Sequence, residues 1–111
     1  MKKRCLITGA SGFIASHLVD HLSKKNFLIR LYDQKKPKYK IKNQKFYHAD
    51  IKNLRALEKA TKKVDILFHF AACADLIKSN ENPFFAIDVN ITGTINVLKA
   101  CVKNKVKKII F

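Results

Sequence analysis

The sequence predicts an α/β fold built on a doubly wound parallel sheet, and three observations carry that expectation. Short apolar runs of strand length alternate with segments of helical periodicity. The first run passes through a glycine turn directly into the first helix. The fourth run is apolar on both faces apart from Asp65 and His69, as a strand covered by helices on both sides must be. With 48% hydrophobic residues and only three Gly and two Pro, the chain can build a core, which excludes disordered, collagenous and low-complexity classes. A length of 111 residues without repeats or linkers suits one domain, so residues 1–111 are expected to form a single unit.

The elements follow in order. Lys3–Thr8 reads as a buried strand, and Gly12–Lys25 as a helix with Ile14, Leu18 and Leu22 on one face, supported by Ala15 and Val19. Phe27–Tyr32 is a second strand. The segment Gln34–Lys45 holds Pro37 and six lysines without an acid, the pattern of a solvated loop. Lys45–His48 forms a short third strand. Asn53 is placed to cap a helix carrying Leu54, Leu57 and Ala60 that ends before Val64. Val64–Ala71 is the fourth strand. Asn82 followed by Pro83 opens a long helix, because proline at the first helical position gives up an N–H that has no partner there. From there Phe84, Ile87, Ile91, Ile95, Leu98 and Val102 recur at steps of three and four. Val106–Phe111 is the fifth strand, and right-handed crossovers make the sheet parallel.

Charge and cysteines bound the function classes. Against 8 acidic residues stand 23 basic ones, 20 of them lysine, for a net charge of +15. Such an excess raises the question of nucleic acid or an anionic membrane as partner. The lysines are spread along the chain and arginine, which reads phosphate and guanine with a planar fork, is scarce, so solvated lysine is the preferred explanation. Cys5, Cys73 and Cys101 are an odd number without short spacing, which indicates neither a disulfide framework nor a zinc knuckle. No uninterrupted apolar run approaches the roughly 18 residues of a membrane span, and no secretory leader is evident. The expectation is a reduced, cytoplasmic protein.

The stretch Thr8-Gly9-Ala10-Ser11-Gly12-Phe13-Ile14-Ala15 lies where the first strand turns into the first helix. Gly9 permits a tight turn, and Gly12 lets backbone N–H groups approach a pyrophosphate seated on the positive end of the helix dipole. Ala15 is small where helix and strand pack closely. Glycine turns at such junctions also occur without a ligand. Asp33 ends the second strand 18 residues after Ala15, where a carboxylate accepts bonds from ribose hydroxyls and repels a 2′-phosphate; alone it also reads as an ordinary turn-opening Asp.

In these residues the sequence resembles the extended short-chain dehydrogenase/reductases, specifically the NAD-dependent epimerase/dehydratase family that acts on nucleotide sugars. The glycine run is similar to that family's T-G-x-x-G-F-I-G, with Ala15 in place of the last glycine. Asp50-Ile51 matches its adenine-contacting pair, and His69-Phe70-Ala71-Ala72 its H-x-A-A. Asn90-Ile91-Thr92-Gly93-Thr94-Ile95-Asn96-Val97-Leu98 matches its N-x-x-G-T-x-N-x-L. These blocks, in order, span the chain.

The resemblance implies a Rossmann-type sheet with NAD as cofactor. It implies pyrophosphate contacts from Gly9, Gly12, Phe13 and Ile14, and ribose contacts from Asp33. Asp50 and Ile51 would flank the adenine, and Ala71 and Ala72 the ribose next to nicotinamide. Asn90 would be a polar group in the long helix that helps order the active site; its plainer reading is a bond to a neighbouring loop. The family's Ser or Thr and its Tyr-x-x-x-Lys pair follow the fifth strand. The expectation is therefore a chain truncated at its fifth strand, without those groups and inactive by itself. Nucleotide sugar would bind only in a full-length relative, and the edge at Lys107–Phe111 would be open to self-association. The rivals are a non-catalytic NAD-binding or NAD-sensing protein of the same fold and a basic nucleic-acid-binding domain.

Three patterns are decoys. Tyr32 and Lys36 have the Tyr-x-x-x-Lys spacing but leave a strand for a turn, where the four-residue helical step does not bring them together. His17 and His21 stand four apart on a helix without the glutamate of a zinc protease or a third ligand. Cys73 follows the fourth strand without a neighbouring base, as a packing residue would.

Overall fold

The computed structural model describes residues 2–72 and 80–111; Cys73 lies outside the described residues. Five parallel strands, β1 (Lys3–Thr8), β2 (Phe27–Asp33), β3 (Lys45–His48), β4 (Ile66–His69) and β5 (Lys108–Ile110), form one sheet in the order β3-β2-β1-β4-β5. Helices α1 (Phe13–Ser23), α2 (Leu54–Ala60), α3 (Pro83–Ile87) and α4 (Gly93–Lys103) connect them, with a π-helical turn at Asp88–Thr92 joining α3 to α4. This is the doubly wound α/β architecture that the alternating pattern predicts, of the Rossmann type that the resemblance implies.

The period of two along the strands divides the core in half. Cys5, Ile7, Ile29 and Leu31 point to one face and pack with Ala15, Val19 and Leu22 of α1. Leu6, Tyr32 and Leu67 point to the other, against Leu57 and Ala60 of α2 and Val97, Ala100 and Cys101 of α4. Helices α2 and α4 are further joined by Asn104, whose amide donates to the Glu58 carbonyl at 2.8 Å and lies 2.7 Å from Thr61 Oγ1.

Several boundaries differ from the sequence expectation, each for a local reason. Helix α1 stops at Ser23 because Lys24 and Lys25 donate to His21 and Leu22 in a closing turn. Its buried face is Ala15, Val19 and Leu22, whereas Ile14 is 65% exposed. Strand β2 gains Asp33, which pairs with His48. Strand β4 is shorter than Val64–Ala71: Val64 N–H is spent on Thr61 in a turn where Lys63 takes φ 60°, and the Thr8 side chain takes up the backbone after His69. Strand β5 narrows to three residues at the sheet edge. The lysine-rich loop is more tethered than its composition suggests, with Pro37 buried and Tyr39 Oη donating to the Ala10 carbonyl at 2.7 Å.

The long helix is the largest departure. The steps of three and four persist across the π-helical turn, so periodicity alone does not register the one wide turn. Its regular stripe also faces away from the sheet: Phe84 is 82% exposed and Val102 80%, and Ile87, Ile91, Ile95 and Leu98 are exposed as well. The buried face is the smaller-residue one, Gly93, Val97, Ala100 and Cys101. By length and composition Pro83–Lys103 is apolar enough to cross a membrane, although polar residues interrupt its apolar runs; Val97, Ala100 and Cys101 nonetheless pack it onto the sheet.

Asn53 caps α2 by accepting from Ala56 N–H at 3.1 Å. Asn53→Ala removes that acceptor and is expected to cost about 1 kcal/mol, read in urea as a lower midpoint at unchanged slope.

Candidate functional site

In an open parallel sheet the crevice forms beyond the carboxyl ends of the strands at the point where strand order reverses. Here the order reverses between β1 and β4, and a cleft of about 370 Å³ opens at that end.

The floor of the cleft is the turn after β1. Gly9 takes φ +68°, a left-handed conformation that suits glycine, and a Cβ there would lie 2.7 Å from both Phe70 C and Ala71 N. Gly12 accepts no such restriction from φ, at −77°, and a Cβ would meet only the Gly9 carbonyl at 3.2 Å. Gly12 N–H closes the turn onto that carbonyl at 3.0 Å. Gly12 is also the N-cap of α1, where no side chain caps the helix and no acid occupies the first turn. The positive end of α1 is thus presented to the cleft without an acid in its own first turn.

Asp33 stands at the end of β2 on the cleft wall. Its Oδ2 accepts from Ser11 N–H at 2.9 Å and Ser11 Oγ at 2.6 Å, and its Oδ1 from Lys35 N–H at 2.9 Å. A carboxylate offers about four lone-pair sites. These bonds fix the carboxylate and leave an acceptor position on Oδ1.

The third wall follows β3. Tyr32 Oη donates to the Asp50 carbonyl at 2.6 Å, and the Asn96 amide donates to the carbonyls of Ile51 and Lys52 at 3.2 and 3.1 Å. The Ile51 side chain is buried and occupies the space that a Cβ on Gly93 would take. Gly93 therefore lets the long helix approach this wall closely. Opposite, Ala71 and Ala72 leave β4, and Phe85 and Val89 close the far side from α3 and the π-helical turn.

Gly9, Gly12, Asp33, Asp50, Ile51, Ala71 and Ala72 all line this cleft. The side chains of Phe13 and Ile14 point to solvent, 79% and 65% exposed, so what these residues offer is backbone at the start of α1. Asn90 does not line the cleft; it lies in the π-helical turn, and its carbonyl accepts from Thr94 Oγ1 at 2.7 Å. Ser11, Asn96, Phe85 and Val89 are site-building residues that the sequence does not single out, and Tyr32 stands out in it only as half of a decoy pair. Ser11 and Asn96 stand inside recognisable blocks, and Phe85 and Val89 are four apart on one helix face; Tyr32 had no such signal.

Burial holds the tyrosine hydroxyls beside the cleft and the core thiols in their uncharged forms. Burial pushes the Tyr32 hydroxyl well above the usual range, with Asp50 adding to it, and raises Tyr39 to about 12, with Asp33 adding to it. Cys5 is pushed up to about 12 and Cys101 to about 11, so neither buried thiol is a nucleophile at neutral pH. Of the decoys, Tyr32 is committed to the Asp50 carbonyl while Lys36 is exposed, and His17 stacks edge-on against Phe13 with ring centroids 4.6 Å apart.

Comparison with known proteins gives a consistent picture. The sequence profile of the NAD-dependent epimerase/dehydratase family matches residues 5–111. The UDP-N-acetyl-alpha-D-glucosaminuronate decarboxylase of Bacillus cytotoxicus is 36% identical, over all of this chain and 36% of that protein. Among solved structures, the Thermus thermophilus UDP-glucose 4-epimerase in complex with NAD superposes with a TM-score of 0.90 at 31% identity, over 97% of this chain and 36% of that one. The Thermotoga maritima UDP-glucose 4-epimerase with UDP-glucose gives 0.91 at 31% identity, over 97% and 37%. The chain spans little more than a third of the length of the relatives it matches.

The two glycines of the turn should respond differently to a methyl group. Gly9→Ala meets rigid backbone in an unfavourable φ and is expected to lose roughly 1–3 kcal/mol. Gly12→Ala, at an ordinary φ, is expected to lose less than half of that. Urea unfolding of both variants checks the ordering.

Proposed function

The chain belongs to the NAD-dependent epimerase/dehydratase family, and from that premise we propose that residues 1–111 are the coenzyme-binding domain of an enzyme acting on nucleotide sugars. The observation that carries the reading is the convergence, in one cleft, of the glycine turn, the uncapped positive end of α1 and a fixed Asp33 carboxylate with an acceptor to spare.

The residues fit NAD part by part. The space that a Cβ on Gly12 would take, met only by the Gly9 carbonyl, admits the approach of a pyrophosphate, held by the α1 dipole and backbone N–H groups that include those of Phe13 and Ile14. Asp33 takes a hydroxyl of the adenosine ribose and repels a 2′-phosphate. Asp50 and Ile51 hold the adenine, with Tyr32 and Asn96 fixing their backbone. Ala71 and Ala72 border the second ribose, and Asn90 acts at a distance by ordering the helix beside the active site. NAD, when bound, supplies the hydride acceptor for oxidation of a sugar carbon.

Removal of the sugar hydroxyl proton needs a base within about 3 Å of it, or one water away. None of the three tyrosines serves. Tyr32 and Tyr39 donate to the Asp50 and Ala10 carbonyls, and both are held protonated by burial. Tyr47 lies within β3. The 111 residues therefore bind coenzyme without turning over substrate, and the full-length enzyme acts on a nucleotide sugar, UDP being the nucleotide named for the relatives above. The same reading places the protein in the cytoplasm, with Cys5 and Cys101 as free thiols, and assigns any self-association of this polypeptide to the edge strand β5.

Calorimetric titration tests the reading. NAD is expected to bind more tightly than NADP, and Asp33→Ala to weaken NAD by roughly ten- to a hundredfold, the loss of a charged hydrogen bond. Lys35 on the cleft wall and Lys36 are the competing influence. Equal or tighter NADP binding contradicts the role of Asp33. Turnover of UDP-, GDP- or dTDP-sugars by the 111-residue chain, surviving Tyr32→Phe, contradicts the assignment of no base.

A further inference from the structure

Three polar side chains meet under the cleft, where β1, β4 and the long helix converge, and the coenzyme reading above uses none of them. Thr8 is fully buried and His69 is 8% exposed. Thr8 Oγ1 lies 2.8 Å from His69 Nδ1, His69 Nε2 lies 3.1 Å from Thr94 Oγ1, and Thr94 Oγ1 donates to the Asn90 carbonyl at 2.7 Å.

The backbone sets the direction of this chain of bonds. Ala71 N–H donates to Thr8 Oγ1 at 3.2 Å, and Phe70 N–H at 3.0 Å, the latter shared with the Thr8 carbonyl at 3.3 Å. A hydroxyl oxygen has two lone pairs, and both are engaged. Thr8 reaches His69 only through its own hydrogen, so Nδ1 is the acceptor. Nε2 then carries the imidazole hydrogen and donates it to Thr94, whose hydrogen goes to Asn90. The bonds run one way, from the Phe70–Ala71 peptide to the π-helical turn.

We propose that Thr8, His69 and Thr94 are positioning residues for the coenzyme cleft: with His69 neutral and protonated on Nε2, they hold the Phe70–Ala71 peptide against Gly9 and tie it to the turn that carries Val89. The proposal deepens the coenzyme reading and rests on it for its effect on binding. The Phe70–Ala71 peptide is the backbone that a Cβ on Gly9 would strike, and Ala71 and Val89 both line the cleft, so a shift in the relay moves two of its walls.

Among the described residues no charge competes for His69. On β1, Lys3 and Arg4 lie toward the far end of the strand, since Thr8 is the register partner of His69 and Cys5 that of Ile66. Asp65, just before β4, accepts from Arg4 N–H, and Lys108 of β5 pairs with Ile66. In the π-helical turn Asp88 is paired with Lys52, and on α4 Lys99, Cys101 and Lys103 are five or more residues past Thr94. The Phe111 ring meets His69 edge-on at 5.8 Å between centroids. Burial alone lowers the imidazole pKa from its usual 6.5. Protonation would place a second N–H against the Thr8 hydroxyl hydrogen, and Thr8 could turn that hydrogen away only by releasing a backbone donor. The relay is therefore complete above pH 6.5 and opens as pH falls through the lowered pKa.

The test is nitrogen-15 NMR of the 111-residue protein at pH 8, joined to calorimetry with NAD. The relay predicts His69 as the neutral Nε2–H tautomer. Thr94→Val should move the Ala71 amide resonance and weaken NAD about three- to tenfold, the effect of one lost neutral hydrogen bond, and Thr94→Ser should restore both. In the wild type NAD affinity should fall below pH 6.5, and in Thr94→Val that fall should be smaller. The Nδ1–H tautomer or a charged His69 at pH 8 overturns the proposal, as does a Thr94→Val protein with unchanged Ala71 amide and unchanged affinity. If Thr94→Val does not fold, the wild-type tautomer and the Thr94→Ser spectrum decide. If the wild type binds no NAD, the coenzyme reading falls, and the tautomer with the Ala71 amide still decides the relay.

Discussion

The close approach of two backbones at the end of the sheet governs the rest of the molecule. β1 and β4 lie side by side, and their chains depart on opposite faces just after Thr8 and His69. Gly9 fits into the angle between them with φ +68°, its α-carbon against the Phe70–Ala71 peptide. That contact tolerates no side chain, and because it does not, the turn stays tight enough to bring α1 onto the cleft end first. The open side of Gly12, at the start of α1, is the space a ligand can enter.

A second close approach sets the opposite wall. Gly93 lies against Ile51, and three residues later Asn96 bonds the carbonyls of Ile51 and Lys52. The long helix is thereby joined at one end to the loop after β3 and, through Thr94, to the end of β4. Its stripe of Phe84, Ile87, Ile91, Ile95, Leu98 and Val102 is left outside. The buried contacts are made instead by Gly93, Val97, Ala100 and Cys101, whose small size lets the backbone come near the sheet.

Much of this was legible in the sequence because it rests on pattern and on glycine. The five strands and the order of helices follow from periodicity, and Asn53 and Pro83 mark their helix starts as their chemistry requires. Seven of the ten residues singled out for the site line one cleft. What was not legible depends on contacts distant in sequence. Nothing in the period of the long helix says that its larger face is outside, since an amphipathic stripe looks the same whichever surface it meets. The π-helical turn leaves the spacing of three and four intact. Tyr32 reads as half of an accidental pair until its hydroxyl is seen on the Asp50 carbonyl, 18 residues away. His69 reads as one letter of a block until Thr8 and Thr94 are found on its two nitrogens.

We propose the end of the sheet where β1 and β4 diverge as a dinucleotide site. Residue-resolved NMR of the 111-residue protein titrated with NAD tests it most directly. Shifts are expected to concentrate at the amides of Gly9–Ile14, Asp33, Asp50–Ile51 and Ala71–Ala72, with the exposed stripe from Phe84 to Val102 undisturbed. Shifts confined to the lysines of the loop between β2 and β3, or spread evenly over the basic surface, would contradict it.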